Sequence, residues 1–247
     1  MKKKKNFFYK NLNYYIRLNR YLSICGISSR READKLIESG LITVNGKIIT
    51  KLGFKIFFKD KIKYDGYRIY PEKKIYIILN KPRGVITTKK DEKNRKTVMN
   101  LFYNQKYRIY PIGRLDRQST GVLLFTNDGD ITKKLTHPKY KIKKIYNLIL
   151  DKEINYMDIK KIKNGISLKE GKIKTDSVYY LNKYSKNQVC IELCIGWKRV
   201  IRRIFKKIGY NVIKLDRVYF GGITKKFLKV GKWRFLTEKE INLLKSL

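Results

Sequence analysis

The sequence has few of the residues that build metal sites, disulfide frameworks or membrane spans. Its 247 residues include three cysteines, one histidine and four prolines, and they contain no run of 18 apolar residues. The spacing of the three cysteines and the single histidine does not fit a four-ligand zinc site, and a membrane-spanning helix needs about 20 apolar residues. We therefore expect no metal, no disulfide and no membrane span, and we expect Cys25, Cys190 and Cys194 to be reduced and mostly buried in the core.

Acidic residues are also scarce. The chain has 60 Lys and Arg against 20 Asp and Glu, which gives a formal net charge of +40. This excess is larger than solubility requires and predicts a polyanionic partner. The basic residues are spread along the whole chain and not confined to one amphipathic helix, so nucleic acid is a better candidate than a membrane surface.

The first acidic residue is Glu32, and the N-terminus carries the basic run Lys2–Lys5. Residues 1–15 contain no apolar stretch of the kind that a secretory signal needs, which favours a cytoplasmic protein. We predict that this segment is a mobile basic arm that contacts RNA phosphates. An organelle transit peptide is an alternative, although such peptides favour Arg and Ser over Lys.

A small module is predicted over residues 16–66. Apolar residues at helical spacing from Leu18 to Cys25 indicate a first helix that Gly26 ends, and Ser29 with Glu32 forms a capping-box pattern for a second helix that runs to about Ser39. Asn45-Gly46 is a strong hairpin signal. Residues 67–74 read as a linker, and residues 75–247 as a larger domain.

The larger domain is rich in predicted strands that do not alternate regularly with helices. Strands are predicted over residues 75–79, 85–88, 121–125, 145–150, 178–181, 189–195 and 212–220, and helices over residues 131–135, 158–164, 200–207 and 238–244. This order favours an α+β fold with a mixed, mostly antiparallel sheet and flanking helices. No nucleotide-binding glycine loop is present, which disfavours enzymes that depend on NAD, S-adenosylmethionine or ATP.

The densest cluster of unusual residues is PIGRLDRQSTGVLLFTNDGD, at residues 111–130. Arg114 and Asp116 follow a glycine and precede an apolar strand, a position that suits a loop facing a cleft. A charged hairpin turn is the plainer interpretation. Residues 80–83 could likewise be a simple strand exit or an RNA-backbone contact, and we expect His137 to be structural or to position RNA and not to act as a general base.

The segment RLNRYLSICGISSRREADKLIESGLITVNGKIIT resembles the RNA-binding domain first recognised in ribosomal small-subunit protein S-four. In that family the second helix and the loop before it bind structured RNA. The resemblance thus implies RNA contacts for Ser29, Arg30, Arg31 and Lys35. An ordinary basic helical hairpin with a solvated face is the alternative.

From about residue 17 to residue 245 the chain also resembles the RsuA and RluB type of pseudouridine synthases. Besides GRLDRQSTGVLLFTNDG, the matching strings are LNKPRGVITT, THPKY, KKIY, RVIRRIF, LDRVYFGGI and LTEKEINLL, in the family's order and spacing. The resemblance implies isomerisation of a uridine in ribosomal RNA to pseudouridine, without a cofactor or metal. The wording around IYPIGRLD and THPKYKIKKIY is closer to the large-subunit branch.

The same resemblance assigns roles to individual residues. It implies that Asp116 is the catalytic carboxylate, that Arg114 fills the gap left by the target base, and that Tyr146 stacks on the uracil. It implies that Arg202 pairs with Asp116, for which we expect a bidentate bond. We expect further RNA contacts from four basic residues, Lys81, Arg83, Arg199 and Arg203.

One stretch departs from the family pattern. Residues 195–203 read IGWKRVIRR, whereas the family has E-G-R-N-R-[QE]-[VI]-R-R. The usual Glu and Gln are lost, so we expect altered RNA contacts near Trp197 and Val200. The competing hypotheses are a non-catalytic RNA-binding or ribosome-assembly protein on the same fold, and an RNA methyltransferase with a parallel sheet. A monomer acting on ribosomal RNA or a pre-ribosomal particle is the favoured interpretation.

Overall fold

The computed structural model describes residues 15–89, 91–102, 107–182 and 184–247. The predicted basic arm therefore lies outside the described residues, except for Tyr15. The chain divides into two compact units, residues 1–73 and 74–247. Among the described residues, no helix combines the length and the hydropathy needed to span a membrane.

The first unit packs two helices against short strands. The helices are α1 (Leu18–Ile24) and α2 (Arg30–Glu38), and the strands are β1 (Tyr15–Arg17), β2 (Ile42–Val44), β3 (Lys47–Ile48), β4 (Lys55–Phe57), β5 (Ile62–Tyr64) and β6 (Tyr67–Arg68). β1 pairs with β4, and the other strands form a sheet in the order β3-β2-β5-β6. Apolar residues of both helices and of β1, β2, β4 and β5 form one buried core.

Local signals predicted most of this unit. The capping box is confirmed, because the Ser29 amide donates to Glu32 at 2.8 Å and the Glu32 amide donates to the Ser29 hydroxyl at 3.3 Å. The hairpin is confirmed by Asn45 and Gly46, which both have the positive φ that a type I′ turn requires. The predicted first helix is confirmed by α1, and Ile16 before it lies in β1, where it pairs with Ile56. The predicted linker begins with a strand, since β6 pairs with β5.

The second unit is built around one large twisted sheet. Its strands are β7 (Tyr76–Lys81), β8 (Tyr110–Pro111), β9 (Thr120–Thr126), β10 (Lys144–Leu150), β13 (Ser177–Tyr180), β14 (Gln188–Leu193), β15 (Val212–Phe220), β16 (Ile223–Thr224) and β17 (Trp233–Phe235); β11 (Ile166–Leu168) and β12 (Gly171–Ile173) form a separate hairpin. The order is β13-β14-β10-β15-β9-β7-β17, with β8 beside β9 and β16 beside β15. β9 and β15 pair in parallel, and the other neighbours are antiparallel.

This sheet confirms the predicted mixed, mostly antiparallel α+β fold. Helices α3 (Gly129–Thr136), α4 (Tyr156–Asn164), α5 (Val200–Lys207) and α6 (Glu238–Ser246) lie where the sequence pattern placed them. The predicted strand over residues 85–88 is wrong, because that segment makes a single bridge, Ile86 to Thr97. The parallel sheet that a methyltransferase would require is not what the described residues form.

The parallel contact between β9 and β15 is unusually close, and one glycine makes it possible. Gly121 has φ +105°, and a Cβ atom built on it would lie 2.1 Å from the Arg217 carbonyl oxygen. Any side chain there would force the two strands apart. This contact matters because the cleft described next opens where β9, β10 and β15 end or begin.

Candidate active site

Asp116 lies on a tight loop between β8 and β9. Gly113 starts the loop with φ +69°, and the Ser119 amide closes a turn by donating to the Asp116 carbonyl at 3.0 Å. The Asp116 carboxylate is 36% exposed. A carboxylate on a short loop that is partly open to solvent is placed to meet a substrate.

Lys81 stabilises this loop by hydrogen bonds to its backbone. Its side chain is fully buried, at 0% exposure, and its ammonium donates to the carbonyls of Ser119 at 2.9 Å and Asp116 at 3.2 Å, as well as to Pro82 at 3.0 Å. Burial lowers the pKa of Lys81 to about 8, and the charge of Asp116 acts in the opposite direction. The predicted contact of Lys81 with RNA needs correction, because its side chain is fully buried and its three ammonium donors are taken by backbone carbonyls.

Two further residues fix the loop, and the sequence interpretation assigned neither. The Thr87 hydroxyl donates to the Leu115 carbonyl at 2.8 Å and accepts from the Leu115 amide at 3.3 Å. The Gly84 amide donates to the Arg117 carbonyl at 2.8 Å. Both residues belong to the LNKPRGVITT string, so that string carried the signal. Its function in the structure is to support the Asp116 loop.

The loop forms one wall of a cleft of about 320 Å³. The residues that line it come from the loop, from β10 and β15, and from the start of α5; they include Arg114, Leu115, Asp116, Ser119, Lys144, Tyr146, Trp197, Arg199, Val200, Leu215, Arg217 and Phe220. Arg114 is exposed, and Tyr146 is partly buried on β10. Four residues with a predicted role therefore line the same cleft: Arg114, Asp116, Tyr146 and Arg199.

The electrostatic neighbours of Asp116 differ from the prediction. Its nearest charged partner is Arg199, whose Nε lies 3.8 Å from the Asp116 carboxylate. Arg202 was expected to make a bidentate bond with Asp116, but its guanidinium instead donates to the Val212 carbonyl. Burial lowers the pKa of Arg202, and the charge of Asp116 opposes that effect, so the two residues are close enough to interact. Arg199 is the N-cap residue of α5 and has φ +51°.

The sequence of this chain matches a known protein family. Residues 75–207 match the family model described as RNA pseudouridylate synthase, and residues 16–62 match the S4 domain. The chain is also 41% identical over 238 residues to ribosomal large subunit pseudouridine synthase B of Bacillus subtilis (strain 168), covering 94% of this chain and 96% of that protein. The chain belongs to the RNA pseudouridylate synthase family.

Other members of the family agree with this assignment. An uncharacterized RNA pseudouridine synthase of Aquifex aeolicus is 35% identical over 92% of both chains, and the dual-specificity RNA pseudouridine synthase RluF of Escherichia coli (strain K12) is 35% identical over 92% of this chain and 77% of that protein. A crystal structure of a pseudouridylate synthase superposes with a TM-score of 0.68 at 26% identity, covering 93% of this chain and 99% of the other. The fold and the family are thus supported by sequence and by structure.

Two cations in the synthase cleft were not singled out from the sequence. Lys144 donates to the carbonyls of Ile142 and Cys194, both at 2.9 Å, and burial lowers its pKa to about 8. Arg217 is buried on β15 and donates from Nε to the Val122 carbonyl at 2.7 Å. Their strings, KKIY and LDRVYFGGI, had been recognised without a function for either cation.

A second cavity of about 470 Å³ lies beside the cleft of this synthase fold. It is lined mostly by basic residues of α5 and of the two positions before it, namely Lys198, Arg199, Arg202, Arg203 and Lys206, together with Glu170, Asn211 and Val212. Arg203 makes a bidentate ion pair with Glu170 at 2.7 and 2.9 Å, so its charge is partly neutralised. Arg83 is exposed and donates to Gln118 at 2.6 Å.

Of the remaining predicted residues, some are exposed to solvent and others are hydrogen-bonded or buried within the protein. In the first unit, Arg30, Arg31 and Lys35 are exposed on α2, whereas the Ser29 hydroxyl caps that helix. His137 accepts a bond from the Lys139 amide and ends α3, in keeping with a structural function. Cys190 is buried in β14, and Cys194, just beyond that strand, is half-buried. Within the described ranges, no cluster of three or more His, Cys, Asp or Glu could hold a metal ion.

Proposed function

We propose that this protein isomerises a uridine of large-subunit ribosomal RNA to pseudouridine, with Asp116 as the catalytic carboxylate. The observation that carries the proposal is the shared cleft: Asp116 stands partly exposed on a loop held by Lys81, and Tyr146 lines the same 320 Å³ space. The Bacillus subtilis relative, which is named as a ribosomal large subunit pseudouridine synthase, supports the choice of substrate.

The chemistry requires one acidic side chain and a held base. The bond between N1 and the ribose C1′ must break, the uracil must turn, and a new bond must join C5 to C1′, while C5 loses a proton and N1 gains one. Asp116 in its ionised form can either attack the nucleoside or remove a proton from it. Arg199 orients the carboxylate across 3.8 Å. Arg202 would supply a second cation if it exchanged the Val212 carbonyl for Asp116.

The target uridine must leave its stack to reach this cleft, at a cost of a few kcal/mol. Arg114 is exposed at the entrance and would occupy the space that the base leaves. Tyr146 would stack on the extruded uracil, and such contacts contribute roughly 1 to 3 kcal/mol per base while they leave the ring free to turn. These assignments give each cleft residue a separate part of the reaction.

The first unit would hold the RNA around the target. Arg30, Arg31 and Lys35 form an exposed cationic surface on α2 that suits phosphate contacts. Arg83, Arg199 and the cavity beside α5 would hold the strand close to the cleft. We propose that the protein acts as a monomer in the cytoplasm, on free ribosomal RNA or on a pre-ribosomal particle, and uses no cofactor.

Pseudouridine mapping tests this proposal directly. Ribosomal RNA exposed to the purified protein should gain pseudouridine at one site, and RNA exposed to Asp116→Asn should gain none, because the amide is neither a base nor a nucleophile of comparable strength. Asp65→Asn is the matched control, since Asp65 occupies a left-handed turn position that Asn also tolerates. That variant should modify the same site as the native protein.

The rival hypothesis makes the opposite prediction. If the native protein binds ribosomal RNA but leaves free RNA and pre-ribosomal particles unmodified, it is a binding or assembly protein on a synthase fold. Equal modification by the native protein and Asp116→Asn would instead remove Asp116 from the mechanism.

A further inference from the structure

Arg217 is a buried cation with an unfilled hydrogen-bonding position in the wall of the cleft. The residue is 3% exposed. Its guanidinium is held by the bond from Nε to the Val122 carbonyl at 2.7 Å and by the Phe220 ring, whose centre lies 4.6 Å from Cζ. Among the residues that the structure describes, no acceptor lies within hydrogen-bonding distance of Nη2.

A second side chain in the same cleft shows the same feature. Ser119, three residues after Asp116, is 1% exposed, and its Oγ also has no partner among the described residues. Buried polar groups are nearly always hydrogen-bonded, so two unpaired groups that line one cleft indicate a ligand with polar atoms. Lys144 is different, because its ammonium already donates to two carbonyls.

The position of Arg217 indicates which ligand atom it would meet. Arg217 is the cross-strand partner of Tyr146 in the pairing of β10 with β15. Side chains of such partners lie next to each other on one face of a sheet. A base stacked on the Tyr146 ring would therefore bring one of its edges beside the guanidinium, which offers donors only.

We propose that Arg217 donates from Nη2 to O4 of the target uracil and selects uridine against cytidine. This inference rests on the proposed function, because it takes uridine as the substrate. Cytidine carries an amino group at the same position, and two donors facing each other in a buried site leave both unpaired. The cleft would thus exclude cytidine by leaving the Arg217 donor without an acceptor.

The same contact would serve both ends of the reaction. In uridine, the ring atom opposite the glycosidic N1 is C4, which carries O4. In pseudouridine, the ring atom opposite the glycosidic C5 is C2, which carries O2. A carbonyl oxygen therefore faces Arg217 before and after the base turns, and the guanidinium does not have to move between substrate and product.

Analogues of the target nucleotide separate this contact from a structural role. Native protein should turn over RNA with 4-thiouridine at the target roughly 10- to 100-fold more slowly than RNA with uridine, since sulfur is a weak acceptor. For Arg217→Met, the ratio of the turnover rate with uridine RNA to that with 4-thiouridine RNA should fall close to one, whatever the absolute rates of the variant. Lys144→Met is the matched control, because it removes a cleft cation whose ammonium is already held by two backbone carbonyls. Its ratio should stay at the native value.

A binding measurement covers the case in which Arg217→Met is inactive. RNA with cytidine at the target should compete more weakly than RNA with uridine for the native protein and equally well for Arg217→Met, provided that thermal unfolding shows the variant to be folded. If the variant does not fold, Arg217→Leu, which also removes every donor, replaces it in the same comparison.

The two possible failures are distinct. If native protein modifies uridine RNA while Arg217→Met or its replacement keeps the full preference for uridine over 4-thiouridine and cytidine, Arg217 only joins β9 to β15 and the inference is wrong. If native protein modifies no RNA, the proposed function itself fails, and the inference fails with it.

Discussion

At the scale of single residues, Lys81 shows that burial can give a basic side chain a structural role in place of RNA contact. In a chain of net charge +40 the simplest expectation for a lysine is contact with RNA. Lys81 instead sits under the Asp116 loop at 0% exposure and bonds to its carbonyls, while its near neighbour Arg83 is exposed. The two residues therefore have separable effects on catalysis and on RNA binding.

Substitution of Lys81 should lower turnover and spare binding. Lys81→Met removes the bonds that fix the loop, and a displacement of about 1 Å at a reacting group can cost roughly 100-fold in rate. We expect kcat to fall by about 10- to 100-fold, with the Kd for RNA changed by less than about twofold. Single-turnover kinetics and filter binding measure the two quantities.

Arg83→Met is the matched variant and should show the reverse pattern, with weaker RNA binding and nearly unchanged kcat at saturating RNA. If Lys81→Met weakened binding as much as Arg83→Met does, Lys81 would have to reach RNA in a conformation other than the one seen here.

At the scale of elements, two contacts hold the sheet that carries the cleft. Gly121 allows β9 to approach β15, which places Arg217 and the Asp116 loop on adjacent strands. At the far edge, Arg234 of β17 makes a bidentate ion pair with Glu240 of α6 at 2.8 Å in both bonds. Glu240 also completes the capping box with Thr237.

The pair between Arg234 and Glu240 predicts a pH-dependent stability. The bonds from Arg234 lower the pKa of Glu240 from 4.5 to about 2. A depressed carboxyl pKa stabilises the folded state above pH 4.5, and this stabilisation is lost as the pH falls from 4.5 to 2. Glu240→Gln should lower the free energy of unfolding by about 2 kcal/mol at pH 7, after allowance for solvent screening.

Chemical denaturation of both proteins between pH 7 and pH 2 measures the difference, which should shrink as Glu240 becomes protonated. Glu238→Gln removes an exposed charge from the same helical turn and should cost only a few tenths of a kcal/mol. A loss for Glu240→Gln that stayed constant down to pH 2 would show that packing, and not charge, carries the contact.

At the scale of the whole molecule, positive charge occurs in both units. Exposed cations occupy α2 in the first unit and the surroundings of the cleft in the second. Each phosphate contact releases a counterion, so the salt dependence of RNA binding reports how many contacts form. The charge distribution predicts that both units contribute.

Binding to a ribosomal RNA hairpin should weaken steeply with salt. With about 8 phosphates in contact, the slope of log K against log salt concentration should be near −7. Changing Arg30, Arg31 and Lys35 to Gln together should make the slope shallower by about 2 to 3, because each phosphate contact contributes about 0.9.

The control variant changes three exposed lysines of the second unit to Gln, namely Lys152, Lys160 and Lys163. It removes the same number of charges. Equal loss of slope in both triple variants would indicate diffuse attraction and would argue against a specific contribution of α2.

The sequence by itself determined the family, the order of the elements and the position of Asp116. These properties depend on local signals, such as the capping box at Ser29, the Asn45-Gly46 turn and the GRLD string, which act over a few residues. The strand predictions were correct where apolar runs were long. The prediction failed over residues 85–88, where a short apolar run contains Thr87, which bonds to the Asp116 loop.

The tertiary structure alone decided which side chains are paired and which are left unpaired. Lys81, on β7, is buried against a loop more than 30 residues away in sequence. Arg199, and not Arg202, lies beside Asp116, and the Arg202 guanidinium donates to the Val212 carbonyl instead. Arg217 lies on β15, between β9 and β10, and its Nη2 has no partner among the described residues. Such pairings depend on strands that are distant in sequence, so local patterns do not encode them.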